Sequence, residues 1–238
     1  MTHLDGNKLD QLWDFNDPAA SEKRLRDAAR DAEGVVADEL RTQLARALGL
    51  QGRFAQALTL LEGISTNDAV VQQRIALERG RVFNSSGDVG PAISAFQEAY
   101  RLDADAFLTV DAIHMLAMTD MAQAETWYER GLEMARHAHD PRVRRWEGSL
   151  RNNHAWHLAD EGNLDAALVA FREAEEWFRE HGNDRQVHIA RWSVAHVLRR
   201  LGRVDEAREI LLDLKSGGAP DEYVDEELAL LGGTGDAL

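Results

Sequence analysis

A short pattern returns five times along this chain and constrains its fold more than any other feature. Each copy has a turn residue, an alanine five positions after it, a bulky residue nine after it, and a small residue seven before it. The turn residues are Gly52, Gly87, Thr119, Gly162 and Gly202, and the alanines are Ala57, Ala92, Ala124, Ala167 and Ala207. The bulky residues are Leu61, Phe96, Tyr128, Phe171 and Leu211, and the upstream small ones Ala45, Gly80, Ala112, Ala155 and Ala195. Self-similarity of this kind marks an array in which each repeat buries its apolar face against its neighbours. The small residues let two helices approach closely while the bulky one fills the remaining gap.

The residues around each copy describe two amphipathic helices joined by a tight turn. In GRVFNSSGDVGPAISAFQEAYRL, Gly87 supplies a left-handed turn, Asp88 stands at a cap position, and Pro91 falls where its missing N–H costs least. Ala92, Phe96 and Ala99 then share one face. The turns lie 35, 32, 43 and 40 residues apart, so the last two repeats require longer helices and the array changes geometry near residue 140. A long helix is expected from Pro141, capped by Asp140, to about Asp160, and another from Asn183 to Arg200. A degenerate pair spans 8–33, with Asp17-Pro18 opening its second helix, Ser21, Leu25 and Ala28 in the repeat positions, and Leu9 at the small upstream site. Full repeats are expected near 38–71, 73–106, 105–138, 141–181 and 183–215. A capping helix follows over 221–231, and then a frayed tail over 232–238. Residues 1–231 thus read as a single array.

Composition narrows the function classes. The net charge of −15 argues against a nucleic-acid backbone or an anionic membrane as the main partner. No stretch of eighteen apolar residues and no basic-then-apolar leader is present, and with no cysteine the expectation is a cytoplasmic protein without disulfides or thiolate metal sites. Residues 205–238 hold ten acidic and two basic side chains, so over half of the net charge sits at one end.

The order of helix, turn, alanine and aromatic in EGNLDAALVAFREA and SGDVGPAISAFQEA resembles the tetratricopeptide repeat family over residues 38–215. The family's early tryptophan and the proline after each second helix are absent, and Thr119 replaces a glycine. The longer final repeats, with Asn152-Asn153 before Ala155, look similar to those of kinesin light chains and some bacterial regulator sensor domains. The resemblance implies an all-α fold, a right-handed α-α superhelix of about five full helix pairs with a degenerate N-terminal pair and a C-terminal cap. It also implies a protein or peptide bound on the concave surface lined by the first helix of each pair.

Mapped onto that surface are Arg46, Arg74, Arg81, Asn84, Ile113, Asn152, Asn153, Trp156, Trp192, His196 and Arg199. Asparagine amides suit an extended peptide backbone, arginines suit carboxylates and tryptophans suit apolar anchors, so an acidic or C-terminal peptide is the expected ligand. The competing reading is that the arginines balance acidic neighbours and the asparagines brace adjacent helices. Trp156 and Trp192 are expected to be partly exposed, whereas Trp13, Trp127, Trp146 and Trp177 are assigned to packing.

His137-x-His139-Asp140 and His154-x-x-His157 match no zinc signature, so no metal is expected. The pairs Glu175-Glu176 and Glu226-Glu227 read as solvated faces. No phosphate loop, nucleophile elbow or dinucleotide fingerprint occurs, which leaves no catalytic residue to name and no cofactor to expect. A non-catalytic adaptor is the leading expectation. The alternatives are a sensor whose curvature responds to a peptide or small ligand, and a self-associating protein joined through Leu228, Leu230 and Leu231. A monomer is the expected state.

Overall fold

The pattern translates directly into helix pairs. The computed structural model describes residues 3–217 and 221–232, and among them every regular element is helical. The helices fall into two units, Met1–Arg130 and Gly131–Leu238. The first holds α1 (Gly6–Leu12), α2 (Pro18–Asp31), α3 (Gly34–Leu50), α4 (Phe54–Glu62), α5 (Ala69–Ser86), α6 (Val89–Leu102), α7 (Ala106–Thr119) and a 3-10 turn, Met121–Gln123. Helix α8 (Ala124–His137) carries the boundary. The second unit continues with α9 (Pro141–Arg144), α10 (Trp146–Asp160), α11 (Leu164–His181), α12 (Asp184–Arg200), α13 (Val204–Ser216) and α14 (Glu222–Gly232).

The nine alanines of the repeat pattern are each no more than 1% exposed, and its five bulky residues no more than 2%. Gly80 shows why the upstream site must be small: a Cβ there would sit 2.4 Å from the Phe96 ring. In the first unit α3 packs against α2, α4 and α5, α5 against α6, and α6 against α7. In the second, α11 lies against both α10 and α12, and α13 against α12.

Turn geometry explains four of the five turn residues. Gly52, Gly87, Gly162 and Gly202 have φ of 73°, 88°, 83° and 75°, a left-handed backbone that costs glycine least. The third turn is built differently. Thr119 is the last residue of α7 and is buried, Asp120 closes the helix at φ −91°, and the 3-10 turn follows. Asp120 Oδ2 accepts from Trp127 Nε1 at 3.2 Å and from Gln123 Nε2 at 3.1 Å, so a side chain fixes what glycine fixes elsewhere.

Several expected helix starts are present with their caps. Asp17 accepts from Ala20 N at 2.9 Å ahead of Pro18, and Asn183 forms a reciprocal capping box with Gln186 at 3.0 Å each way. Asp88 holds the cap position of α6 without capping, because its carboxylate accepts from Ser86 Oγ at 2.8 Å. The expected helix 141–160 is interrupted. Asp140 caps α9, but α9 ends at Arg144 and α10 begins at Trp146. Within α10, Gly148 admits the rings of Trp177 and Phe178, which lie 2.4 and 2.6 Å from where a Cβ would stand.

Gln73 is a pin that the sequence did not single out. Fully buried, its amide donates to Ala99 O at 3.1 Å and Thr109 Oγ1 at 2.9 Å, and its carbonyl accepts from Ala104 N at 3.1 Å and Asp105 N at 2.9 Å. One side chain thereby fixes α5, the end of α6 and the turn into α7.

At the C-terminal end the leucine surface expected for self-association does not form. Leu231 is 2% exposed and Leu228 packs partly buried on the core of the second unit, which leaves Leu230 outside. The tail expected over 232–238 lies, after Gly232, outside the described residues.

Candidate functional site

In the first unit the first helices α3, α5 and α7 present one face of charged side chains. Arg74 Nε donates to Glu39 Oε1 at 3.1 Å, while Arg81 donates to Glu78 Oε1 at 2.6 Å and to Asp111 Oδ2 at 2.5 Å. Glu39, Glu78 and Asp111 are 0, 1 and 5% exposed, so the arginines meet buried carboxylates. The sequence reading placed the arginines on this face but missed the acids.

Burial disfavours the charged forms of Arg81 and Asp111, yet mutual attraction outweighs it. The Arg81 guanidinium is held above its usual value by Asp111 and Glu78, and the Asp111 carboxyl below its usual value by Arg81 and Arg46. Ile113 does not belong to this face. It is 2% exposed, and His114 beside it takes the half-buried position, its imidazole pushed below the ordinary value by burial and by Arg81, against the pull of Asp111.

Arg46 differs from its two neighbours. Its guanidinium lies 4.0 Å from Glu78 Oε1, donates no hydrogen bond among the described residues, and stands 5.7 and 5.4 Å over the rings of Trp13 and Phe15. Trp13 and Phe15 are themselves stacked with centroids 4.8 Å apart, so Trp13 serves this platform as well as the core beneath it. Burial and then Arg81 push the Arg46 guanidinium below its ordinary value. Arg46 opens into a recess of about 210 Å³ that Leu50, Arg81, Asn84, Ser85 and Met115 also line. Asn84 is exposed at its mouth. The recess therefore offers an unsaturated cation, an amide and two apolar side chains.

In the second unit Trp156, Trp192 and His196 form an aromatic triangle with centroids 5.3–6.0 Å apart. Both tryptophans are partly exposed, and Trp156 is braced from below by an edge contact to Phe171 at 5.0 Å. His196 Nδ1 lies 2.8 Å from Glu227 Oε1, and Arg199 donates to Glu227 at 2.6 and 3.2 Å. Glu227 is 5% exposed, which corrects its reading as a solvated carboxylate; Glu226 is exposed as expected. Burial pushes the Glu227 carboxyl up, but hydrogen bonds from Arg199 and His196 hold it below its ordinary value. Glu175 is likewise shielded, 2.5 Å from Arg179, while Glu176 is exposed. Asn152 and Asn153 sit half-buried on α10, and Asn152 Oδ1 accepts no hydrogen bond.

Of the other tryptophans, Trp127 is 5% exposed and Trp146 and Trp177 are partly buried. His137 bonds the carbonyl of Glu133 at 2.9 Å, and His157 is buried 3.7 Å from Glu161. Among the described residues no three His, Cys, Asp or Glu side chains converge as metal ligands, and no helix is long and apolar enough to cross a membrane.

These features define a class: an all-α protein of tetratricopeptide-like helical repeats, with charged and aromatic side chains gathered on the first helices. The tetratricopeptide repeat model matches residues 39–62 and 189–212, so the α3–α4 and α12–α13 pairs are tetratricopeptide repeats. No curated protein matches it. Among solved structures it is similar to a tetratricopeptide repeat protein from Parabacteroides merdae, with 17% identity, TM-score 0.58, and 96% of this chain and 84% of that one covered. It is also similar to BtubC (BKLC) from P. vanneervenii, with 17% identity, TM-score 0.57, and 90% and 94% covered. A third is the putative kinesin light chain repeat protein of Podosopora anserina, with 15% identity, TM-score 0.55, and 83% and 96% covered. These likenesses show a shared fold. Tetratricopeptide repeats generally mediate protein–protein interactions.

Proposed function

We propose that this protein is a non-catalytic adaptor that holds an acidic or C-terminal peptide segment of a partner protein on the first-helix face. The observation that carries the reading is Arg46. A half-buried guanidinium that donates no hydrogen bond, beside an open recess with Asn84, Leu50 and Met115, is matched by a carboxylate with an apolar neighbour. Arg74 and Arg81 position rather than bind, since buried carboxylates already engage them. In the second unit Trp156 and Trp192 supply flat apolar contact area of the kind that anchors peptides.

The test is affinity capture from native lysate with the wild-type chain, Arg46→Ala, and the double variant Asn152→Ala with Trp156→Ala, all checked for equal helicity. The reading expects a partner that the wild type retains and at least one variant loses, its bound segment mapping to an acidic or C-terminal stretch. Equal retention by all three chains places binding elsewhere and removes these residues from the site.

A further inference from the structure

Part of the face carrying Trp192, His196 and Arg199 is covered by the chain itself. Asp221 Oδ2 lies 2.8 Å from His188 Nε2, the Tyr223 carbonyl accepts from Trp192 Nε1 at 3.2 Å, and Glu227 meets His196 and Arg199. These contacts advance in the same direction along both helices, so α14 lies parallel to α12 as the next first helix would. The pairing also follows a rule that the first unit uses. A basic side chain six residues before the turn glycine of one first helix meets a carboxylate on the next: Arg81 with Asp111 there, His196 with Glu227 here.

Val224, Leu228 and Leu231 seat α14 on the core of the second unit, and polar contacts do the rest. Lys215 Nζ reaches Asp225 at 2.7 Å and Arg208 donates to the Leu231 carbonyl at 3.4 Å, in addition to the contacts with α12. Its buried side chains are Val224, Glu227 and Leu231 alone. With 11 residues it is too short to be a stable helix without its docking surface. Its acidic side chains match the histidines and arginine beneath, so the surface discriminates by charge as well as by shape.

We infer that the α12 face bearing Trp192, His196 and Arg199 is a receiving site for an acidic amphipathic helix, and that α14 is its resident, exchangeable occupant. A partner helix with a carboxylate at the Glu227 position and an acid at its N-terminal end, six residues earlier, takes the place of α14. The inference rests on the peptide-binding reading but concerns the second unit alone, so the Arg46 recess can fail without it and it can fail without that recess.

The test uses the full chain. Val224→Asp with Leu231→Asp removes the apolar anchors of α14 while leaving every receiving residue intact. A fluorescein-labelled peptide of residues 221–232 is titrated by anisotropy. The expected result is no binding to the wild type, saturable binding to the double variant that weakens with rising salt, and a loss of at least about tenfold when the peptide carries Glu227→Gln. No binding to a double variant of native helicity overturns the inference, as does equal binding to both chains. Loss of the cooperative melt in the variant also overturns it, because α14 is then an integral part of the fold. Hydrogen exchange on the wild type gives a second measure: α14 amides should exchange by local opening faster than those of α12, and exchange of both only through a common opening contradicts exchangeability.

Discussion

At the scale of single residues, the repeat is enforced by contact distances. Gly80→Ala puts a methyl group into the Phe96 ring, and the overpacking should cost about 1–3 kcal/mol despite the better helix propensity of alanine. Chemical denaturation of the two chains checks it; an unchanged or raised midpoint contradicts the packing account. Gln73→Ala should destabilise by on the order of 1–3 kcal/mol, since it removes two buried hydrogen bonds, to the Ala99 carbonyl and Thr109 Oγ1, and two part-buried ones from Ala104 N and Asp105 N. The small and bulky positions were legible because they recur. Gln73 was not, because it occurs once, and a polar residue among apolar ones carries no sign of what it bonds.

At the scale of elements, the ion pairs between first helices make stability depend on pH. Asp111 and Glu227 have folded-state carboxyls below their ordinary values of 3.8 and 4.5. Their contribution is therefore complete above those values and is lost as pH falls through the lower folded ones. An acid titration of stability should show this loss below about pH 4, and Asp111→Asn should flatten part of it. A wild-type profile that does not fall in that range contradicts the pairing. The capping box on α12 is a separate, local device, and Asn183→Ala should cost about 1 kcal/mol in a thermal melt. Helix starts were legible because proline, asparagine and aspartate announce them. The break at Arg145 and the side-chain-built turn at Asp120 were not, since neither uses glycine. Of the charged face, the sequence showed the arginines and hid Glu39, Glu78 and Asp111, because a buried acid and a solvated one look alike until their partners are placed.

For the whole chain, periodicity settled the fold class, and family matches fall on the α3–α4 and α12–α13 pairs. Function is less legible because the same repeat supports many ligands, and what distinguishes them is which cations stay unsaturated. Three arginines with similar positions in sequence proved unlike in structure: Arg74 and Arg81 donate hydrogen bonds to buried acids, whereas Arg46 only approaches Glu78 to 4.0 Å and donates none among the described residues. Net charge adds an expectation at this scale. With −15 overall, the protein should not retain single-stranded DNA at physiological salt in a mobility-shift assay, and retention would contradict the assignment of partner class. The most direct measurement is calorimetric titration of the captured partner's segment, prepared with free and with amidated carboxyl groups, against the wild type and Arg46→Ala. The account predicts that amidation and the substitution each weaken binding by about 10–100-fold and that their effects do not add. Equal affinity of both peptide forms for both proteins would contradict it.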